Sequence, residues 1–431
     1  MAVTTVPVST APSFARSSWR DLDWLMLALV LVLSVWSCLT ILSATRPAED
    51  AFASRPAVSA GTTAGGSSAT AAGSSATAAG SSAAASSTLE SLRSTRTVRS
   101  SDVTKQAIWI ALGLCSIAFL ITVDFQFLMH MQFWIYVASL ASLLLVLVIG
   151  KEVNGAKSWI TLGPFLLQPS EFTKVAVIVT LAAFLCRRQE RIREVSTLLW
   201  SLAYLGPLLL LILKQPDFGT MLSVLSIWFG MLFFGGARLT HLGLTLLIGI
   251  LMFGTAWRYN VLKPHQKERL AVFLQTDGTS RTGKREGYHI KQSQIAIGAG
   301  QITGQGWGKG MQNRAGYVPE KTTDFIFAVV AEELGFVGAA ALLVLYLMFL
   351  SRSAMLAMTS DNYFGVLIAG GFTALIGFHT IVNLGMTMRV MPITGVPLPF
   401  FSYGGSSYLA FSMCVGLLQS IALRRRRLSA F

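Results

Sequence analysis

Long apolar runs, interrupted by short polar or glycine- and proline-rich stretches, dominate the chain. The first run, Trp24 to Ala44, holds 21 residues, close to the roughly 20 that cross a bilayer's hydrocarbon core. Arg16 and Arg20 precede it. It is long for a secretory leader and no small-x-small cleavage site follows, so it reads as a first span. Further runs at 106–123, 133–149, 172–186, 197–213, 219–234, 241–257, 324–350, 363–385 and 408–423 predict nine more spans, ten in all. Residues 45–105 differ in kind. Gly66 to Ala85 repeats GSSATAA without any leucine-like seam. Ala, Ser, Thr and Gly bury too little apolar surface to offset the entropy of ordering, which predicts a flexible linker centred on 57–88. The expected organisation is a tail at 1–23, a first span at 24–44, the linker, a membrane core at 106–423 holding a large loop at 258–323, and a basic tail at 424–431.

Composition agrees with an all-α polytopic membrane protein. Of 431 residues 53 % are hydrophobic and 13 % charged, and the mean hydropathy is +0.59. An ordinary soluble domain carries about 25 % charged residues, so a soluble enzyme and a disordered polymer are both excluded. The 34 basic and 20 acidic residues give a net charge of +14. With ten spans, twelve arginines (Arg16, Arg20, Arg187, Arg188, Arg191, Arg193, Arg238, Arg352 and Arg424–Arg427) fall on one side. That side is expected to be cytoplasmic, with both termini, and the base is then topology and not a nucleic-acid site. The segment 124–132 belongs on the same side yet holds no Lys or Arg. Cys38, Cys115, Cys186 and Cys414 lie in or beside apolar runs without metal-type or paired spacing.

The loops on the other side hold the candidate chemistry. In GKEVNGAKSWITLGPFLLQPSEFTK, residues 150–174, Trp159 suits a membrane interface. Pro169 opens a helix, and Glu171 and Lys174 share one face of it. They are either a local ion pair at a helix start or a charged pair at the mouth of a cavity. In KQPDFGT, residues 214–220, Asp217 either caps the following helix or lines a polar cavity. Asp324 stands at the start of the eighth run, in the expected first helical turn, capped by Thr322 or Thr323. Partial burial there would suit a general base, but on the residues alone a helix-dipole role is the simpler reading. Glu332 and Glu333 lie roughly 12–14 Å deeper at 1.5 Å per residue, so at least one is expected to face the bundle interior, with His379 as a partner. The glycine-rich GAGQITGQGWGKG, residues 298–310, lacks a nucleotide-loop pattern. It reads as a flexible surface loop or, with Lys309 and Arg314, as an amide-rich cradle for a diphosphate. The last loop, 388–408, is stiffened by Pro392, Pro397 and Pro399 and reads as a packed re-entrant segment. Its Ser402, Ser406 and Ser407 can donate to a sugar or phosphate.

Together these stretches resemble the SEDS family (shape, elongation, division and sporulation proteins). The resemblance is carried by GAKSWI at 155–160, QPSEFTK at 168–174, KQPDFGT at 214–220, QSQIAIGAG at 292–300, PEKTTDFIFAVVAEELG at 319–335, HTIVNLG at 379–385 and GVPLPFFSYGGSS at 395–407. It covers nearly the whole chain outside the N-terminal tail and linker. QSQIAIG and GVPLP look more like the elongation branch than the division branch. The resemblance implies a peptidoglycan glycosyltransferase that polymerises lipid II outside the cytoplasmic membrane of a bacterium. The family's essential acid falls on Asp324, as general base. Its QPSE glutamate and lysine fall on Glu171 and Lys174, while Trp159 and Asp217 occupy motif positions that shape the cavity.

Lys309, Arg389 and Ser406 join these as expected substrate contacts. A Mg or Mn ion on the diphosphate is chemically sensible, although no ligand cluster demands one. The implied partners are a class B penicillin-binding protein, which supplies the transpeptidase, and the elongation machinery. The linker, the 124–132 segment without Lys or Arg, and Arg389 depart from the family pattern. A lipid II flippase, a division paralogue and a non-catalytic scaffold are the alternatives.

Overall fold

The computed structural model describes residues 21–45, 102–153, 156–163, 165–259, 284–318 and 320–425. The tails, most of the linker expected at 45–105 and part of the 258–323 loop lie outside them. Among the described residues, eight helices are long and apolar enough to cross a membrane: α1 (Trp24–Ala44), α2 (Asp102–Thr122), α3 (Phe125–Ile149), α4 (Pro169–Cys186), α5 (Val195–Lys214), α10 (Ile326–Thr359), α11 (Tyr363–Thr387) and α12 (Gly405–Arg424). Two more apolar helices, α6 (Phe218–Phe234) and α7 (Leu239–Arg258), match the sixth and seventh runs. The chain is an all-α polytopic membrane protein. Helices α4, α11 and α12 bury most of their length, and α11 packs along α6 and α10. Leu, Ile, Val and Phe from all three central helices fill the core.

Three local features depart from the sequence reading. The segment 124–132 is the first part of α3, begun by Asp124, whose side chain accepts from Gln126 N–H at 2.9 Å. The α2–α3 connection is therefore too short to need basic residues of its own. Arg424 serves it instead, donating to the carbonyls of Ile121 at 3.3 Å and Thr122 at 3.2 Å. The stretch before α4 is an antiparallel meander, β1 (Lys151–Val153), β2 (Ala156–Leu162) and β3 (Phe165–Leu167). Within the 258–323 loop, α8 (Lys284–Gly300) packs on α10, and a single turn, α9 (Met311–Arg314), follows.

The eighth span is also broken. Gly335 in α10 has φ 66 and ψ −160, a conformation open to glycine because it has no Cβ. Backbone groups freed by such a break inside a bundle must find partners. Residues 301–306 supply them. Gln305 and Gly306 N–H donate to the carbonyls of Glu332 and Glu333 at 3.0 and 2.9 Å. In return, Phe336 and Val337 N–H donate to the carbonyls of Gln301 and Ile302 at 2.9 and 3.1 Å. The glycine-rich stretch is thus spliced into the helix break, and these two amides are committed to α10. Gly304, at φ 80, approaches so closely that a Cβ would overlap the Glu333 carbonyl.

This splice predicts a difference between two positive-φ glycines. Gly316 has φ 69 and open space around it, so Gly316→Ala is expected to cost only backbone strain, about 1–3 kcal/mol. Gly304→Ala adds overpacking of about 1–3 kcal/mol. Thermal unfolding in detergent should show Gly304→Ala clearly below Gly316→Ala, and equal melting would contradict the splice.

Candidate functional site

The polar side chains gather where α4, α6 and α12 begin and where α10 is entered. Asp217 caps α6. Its Oδ1 accepts from Thr220 N–H at 3.0 Å, and its Oδ2 accepts from the Thr220 hydroxyl at 2.8 Å. The same Oδ2 accepts from Gln168 Nε2 at 3.0 Å and the Ser170 hydroxyl at 3.4 Å, so one carboxylate joins the starts of α4 and α6. Ser406, in the first turn of α12, accepts from Gln168 N–H at 3.0 Å and donates to the Leu166 carbonyl at 3.3 Å. Both side chains are occupied in holding three helix ends together.

One turn into α4, Lys174 and Glu171 form an ion pair of 2.8 Å that is sealed from solvent, with Lys174 only 2 % exposed. The pair is local, as the spacing allows, but it lies within the bundle and not at an open mouth. Lys174 Nζ also stands 3.4 Å from His379 Nε2 and 5.7 Å from the centre of the Phe411 ring. A backbone carbonyl only accepts, so His379 Nδ1 must donate to the Pro397 carbonyl at 3.0 Å. That leaves the Nε2 lone pair facing the ammonium, with the Ser223 hydroxyl 3.1 Å away. His379 is therefore the partner of Lys174. The expected pairing of His379 with Glu332 or Glu333 is replaced because α11 turns this face toward α4 and α6.

The last loop, 388–404, is pinned by every element around it. Tyr346 and Ser37 donate to the carbonyls of Pro399 and Phe401, each at 2.5 Å. Ser402 accepts from Leu398 N–H at 2.9 Å and donates to the Thr323 carbonyl at 2.6 Å. Tyr403 N–H donates to the Thr322 carbonyl at 2.8 Å. Asn383, wholly buried on α11, donates from Nδ2 to the carbonyls of Val396 at 2.8 Å and Asp324 at 3.0 Å. Asp324 is thus held against this loop, half-buried, and a Cβ at Gly395 would come to 3.6 Å from its Oδ2. It sits in the turn before α10, which starts at Ile326 without a side-chain cap. The expected capping by Thr322 or Thr323 is not made, because the N-cap position falls on Phe325 and the Thr323 hydroxyl donates to Glu320 instead.

Deeper in α10 the two glutamates are consumed locally. Glu332 accepts from the N–H groups of Gln312 at 2.6 Å and Asn313 at 3.1 Å, at the start of α9. Glu333 accepts from the Ser43 hydroxyl at 2.5 Å and Asn313 Nδ2 at 3.3 Å. Lys321 donates to the Asn313 carbonyl at 2.8 Å. Burial pulls the Lys321 ammonium below the usual lysine range, and Glu332 and Glu333 oppose that pull. Glu333 also lines a mostly apolar cleft of about 400 Å³ with Trp36 and Trp307. The Glu332 carboxylate takes the amides of Gln312 and Asn313, just beyond the glycine-rich stretch.

The structure therefore joins Glu171, Lys174, Asp217 and Ser406, through α11 and the 394–397 backbone, to Asp324. It adds His379, Asn383, Ser402 and Ser223 to them. Trp159 lies on β2, its backbone paired with Lys151. Lys309 is exposed on the loop before α9, and Arg389 is half-buried with φ 62 just past α11. Of the added residues, Asn383 and His379 were signalled by their spacing of four in HTIVNLG, which puts both on one helix face. Among the described residues no group of three or more His, Cys, Asp or Glu could hold a metal ion. A divalent cation would thus depend on the diphosphate for most of its ligands.

The sequence matches the family model described as cell cycle protein, FtsW/RodA/SpoVE, over residues 80–427. It is 36 % identical over 327 residues to a probable peptidoglycan glycosyltransferase FtsW of Taylorella equigenitalis, covering 75 % of this chain and 88 % of that one. It is 34 % identical over 296 residues to the peptidoglycan glycosyltransferase MrdB of Escherichia coli K12, covering 69 % and 79 %. A solved structure of a peptidoglycan synthase complex that coordinates polymerization and crosslinking aligns with a TM-score of 0.69 and 29 % identity, covering 95 % of this chain and 100 % of that one.

The buried ion pair yields a stability prediction. Lys174→Met leaves the Glu171 carboxylate uncompensated and should cost about 3–5 kcal/mol. Adding Glu171→Gln removes the stranded charge and should restore most of the loss in detergent unfolding. A double variant no more stable than Lys174→Met would contradict the pairing.

Proposed function

The chain belongs to the FtsW/RodA/SpoVE family of peptidoglycan glycosyltransferases, and from that premise we propose that it polymerises lipid II with Asp324 as the general base. The acceptor 4-hydroxyl attacks the anomeric carbon of the donor sugar. The bond from that carbon to the diphosphate breaks, and undecaprenyl diphosphate leaves with the electron pair. Asp324 takes the hydroxyl proton. One observation carries this assignment. Asp324 is half-buried beside Gly395, on a turn whose carbonyls at 322–324 are held by Tyr403, Ser402 and Asn383. Partial burial and a fixed backbone suit a carboxylate that must meet a hydroxyl within hydrogen-bond reach.

The remaining residues divide by position. Lys309 and Arg389 are cations near the entry to this end of the bundle, suited to a diphosphate. Arg389 holds a left-handed backbone that a non-glycine residue adopts at some cost. Trp159 suits the membrane interface beside the substrate's lipid. Glu171, Lys174, Asp217 and Ser406 support the substrate through the backbone they fix. We place this end of the bundle outside the cytoplasmic membrane and both termini inside, since the twelve arginines mark the other end. QSQIAIG and GVPLP favour cell elongation, with a class B penicillin-binding protein as the crosslinking partner; the aligned synthase complex supports such a partnership.

The test uses the full chain in detergent, with its transpeptidase partner, and fluorescent lipid II resolved on a gel. Asp324→Asn should lower glycan polymerisation by about 10²-fold or more, the usual range for loss of a general base. Glu190→Gln, exposed at the opposite end, should match the wild type. Equal polymer from wild type and Asp324→Asn would overturn the assignment. Detergent removes the sealed compartment that a flippase needs, so polymer made there is synthesis.

A further inference from the structure

We infer that Asn383 is a positioning residue for the glycosyl transfer, holding Asp324 outside the helix that would otherwise absorb it. The inference rests on the reading of Asp324 as the base. In a regular helix the Asp324 carbonyl would accept from Ala328 N–H, four residues on. Here Ala328 N–H donates to Phe325 at 3.0 Å, and the Asp324 carbonyl accepts from Asn383 Nδ2 at 3.0 Å. The other hydrogen of the same NH₂ group is taken by Val396 at 2.8 Å. One primary amide thus fixes two carbonyls from chain segments about seventy residues apart, that of Asp324 itself and that of Val396, next to the Gly395 that the Asp324 carboxylate approaches. The amide is neutral, carries two diverging donors and is wholly buried. No apolar or acidic side chain of its size can replace it.

His379 extends the device. One turn earlier on α11 it binds the next carbonyl, that of Pro397, and its other nitrogen faces Lys174. The α11 face therefore sets the 396–397 backbone, and Asn383 refers Asp324 to it. Without Asn383 the Asp324 carbonyl is released to Ala328 N–H. Helix α10 can then extend backward and swing the carboxylate about the helix axis. The groups that face the Asn383 amide are backbone carbonyls from the 320–325 turn and the 394–397 loop. The charged group nearest to them in the chain is Asp324 itself.

The experiment compares Asn383→Leu, Asn383→Asp and Asp324→Asn with the wild type, using folded monodisperse protein with its partner and fluorescent lipid II. Asn383→Leu keeps the size and removes both donors. Its kcat should fall by about tenfold to a hundredfold, as for a reacting group misplaced by about 1 Å, with KM within about twofold. In Asn383→Asp an ionised carboxylate repels both carbonyls, while the protonated acid restores one donor. Its rate relative to wild type at the same pH should therefore rise as pH falls from about 8 to 6, which a non-specific packing defect does not produce. An unchanged kcat in Asn383→Leu, or a loss confined to KM, overturns the inference. So does a pH-independent ratio for Asn383→Asp, which decides the matter if Asn383→Leu does not fold. If Asp324→Asn polymerises like wild type, the reading of Asp324 fails. If Asp324→Asn is inactive while Asn383→Leu is not, the positioning claim alone fails.

Discussion

Backbone polar groups inside a helical membrane bundle have no water to turn to, so irregular chain survives there only when protein satisfies it. Among the described residues, two such stretches are residues 301–306 and the loop 388–404. The first is closed by backbone bonds into the break at Gly335. The second is closed by side chains: His379, Asn383, Ser37, Tyr346 and Ser402 each bond its backbone. The Asp324 turn is bonded to the second, since Tyr403 N–H and the Ser402 hydroxyl donate to its Thr322 and Thr323 carbonyls. Its position follows from how that loop is satisfied, more than from the helix it precedes.

Charge is arranged by the same rule. A buried ion costs several kcal/mol unless it is paired and hydrogen-bonded. Lys174 is balanced by Glu171 and steered by His379, while Glu332 sits against two amides at the start of α9. These groups stiffen the scaffold. Catalysis of sugar transfer needs a base at a defined place more than it needs many charges.

Much of the fold was legible in the sequence because apolar length alone marks a span. The ten runs became ten helices, and the Glu171–Lys174 and Asp217 roles followed from spacing and capping. What escaped depends on contacts far apart in the chain. The 124–132 segment looked like a loop because its polar His130 and Gln132 interrupt hydrophobicity without interrupting helix. The break at Gly335 was hidden inside a continuous apolar run, since only residues 301–306, thirty positions earlier, make it affordable. The partner of His379 was misjudged for the same reason. Residue type told that a buried imidazole needs a partner, but the packing of α11 against α4 and α6 chose Lys174.

Hydrogen exchange measured by mass spectrometry on the protein in nanodiscs tests the central claim most directly. The claim is that the 320–325 turn and the 396–403 backbone form one unit seated on the Lys174–His379 pair. The account predicts strong protection of both segments in the wild type, where Tyr403 N–H is bonded to Thr322 and Leu398 N–H to Ser402. It also predicts that Lys174→Met loosens both together. Fast exchange of either segment in the wild type, or loosening of one without the other, would contradict it.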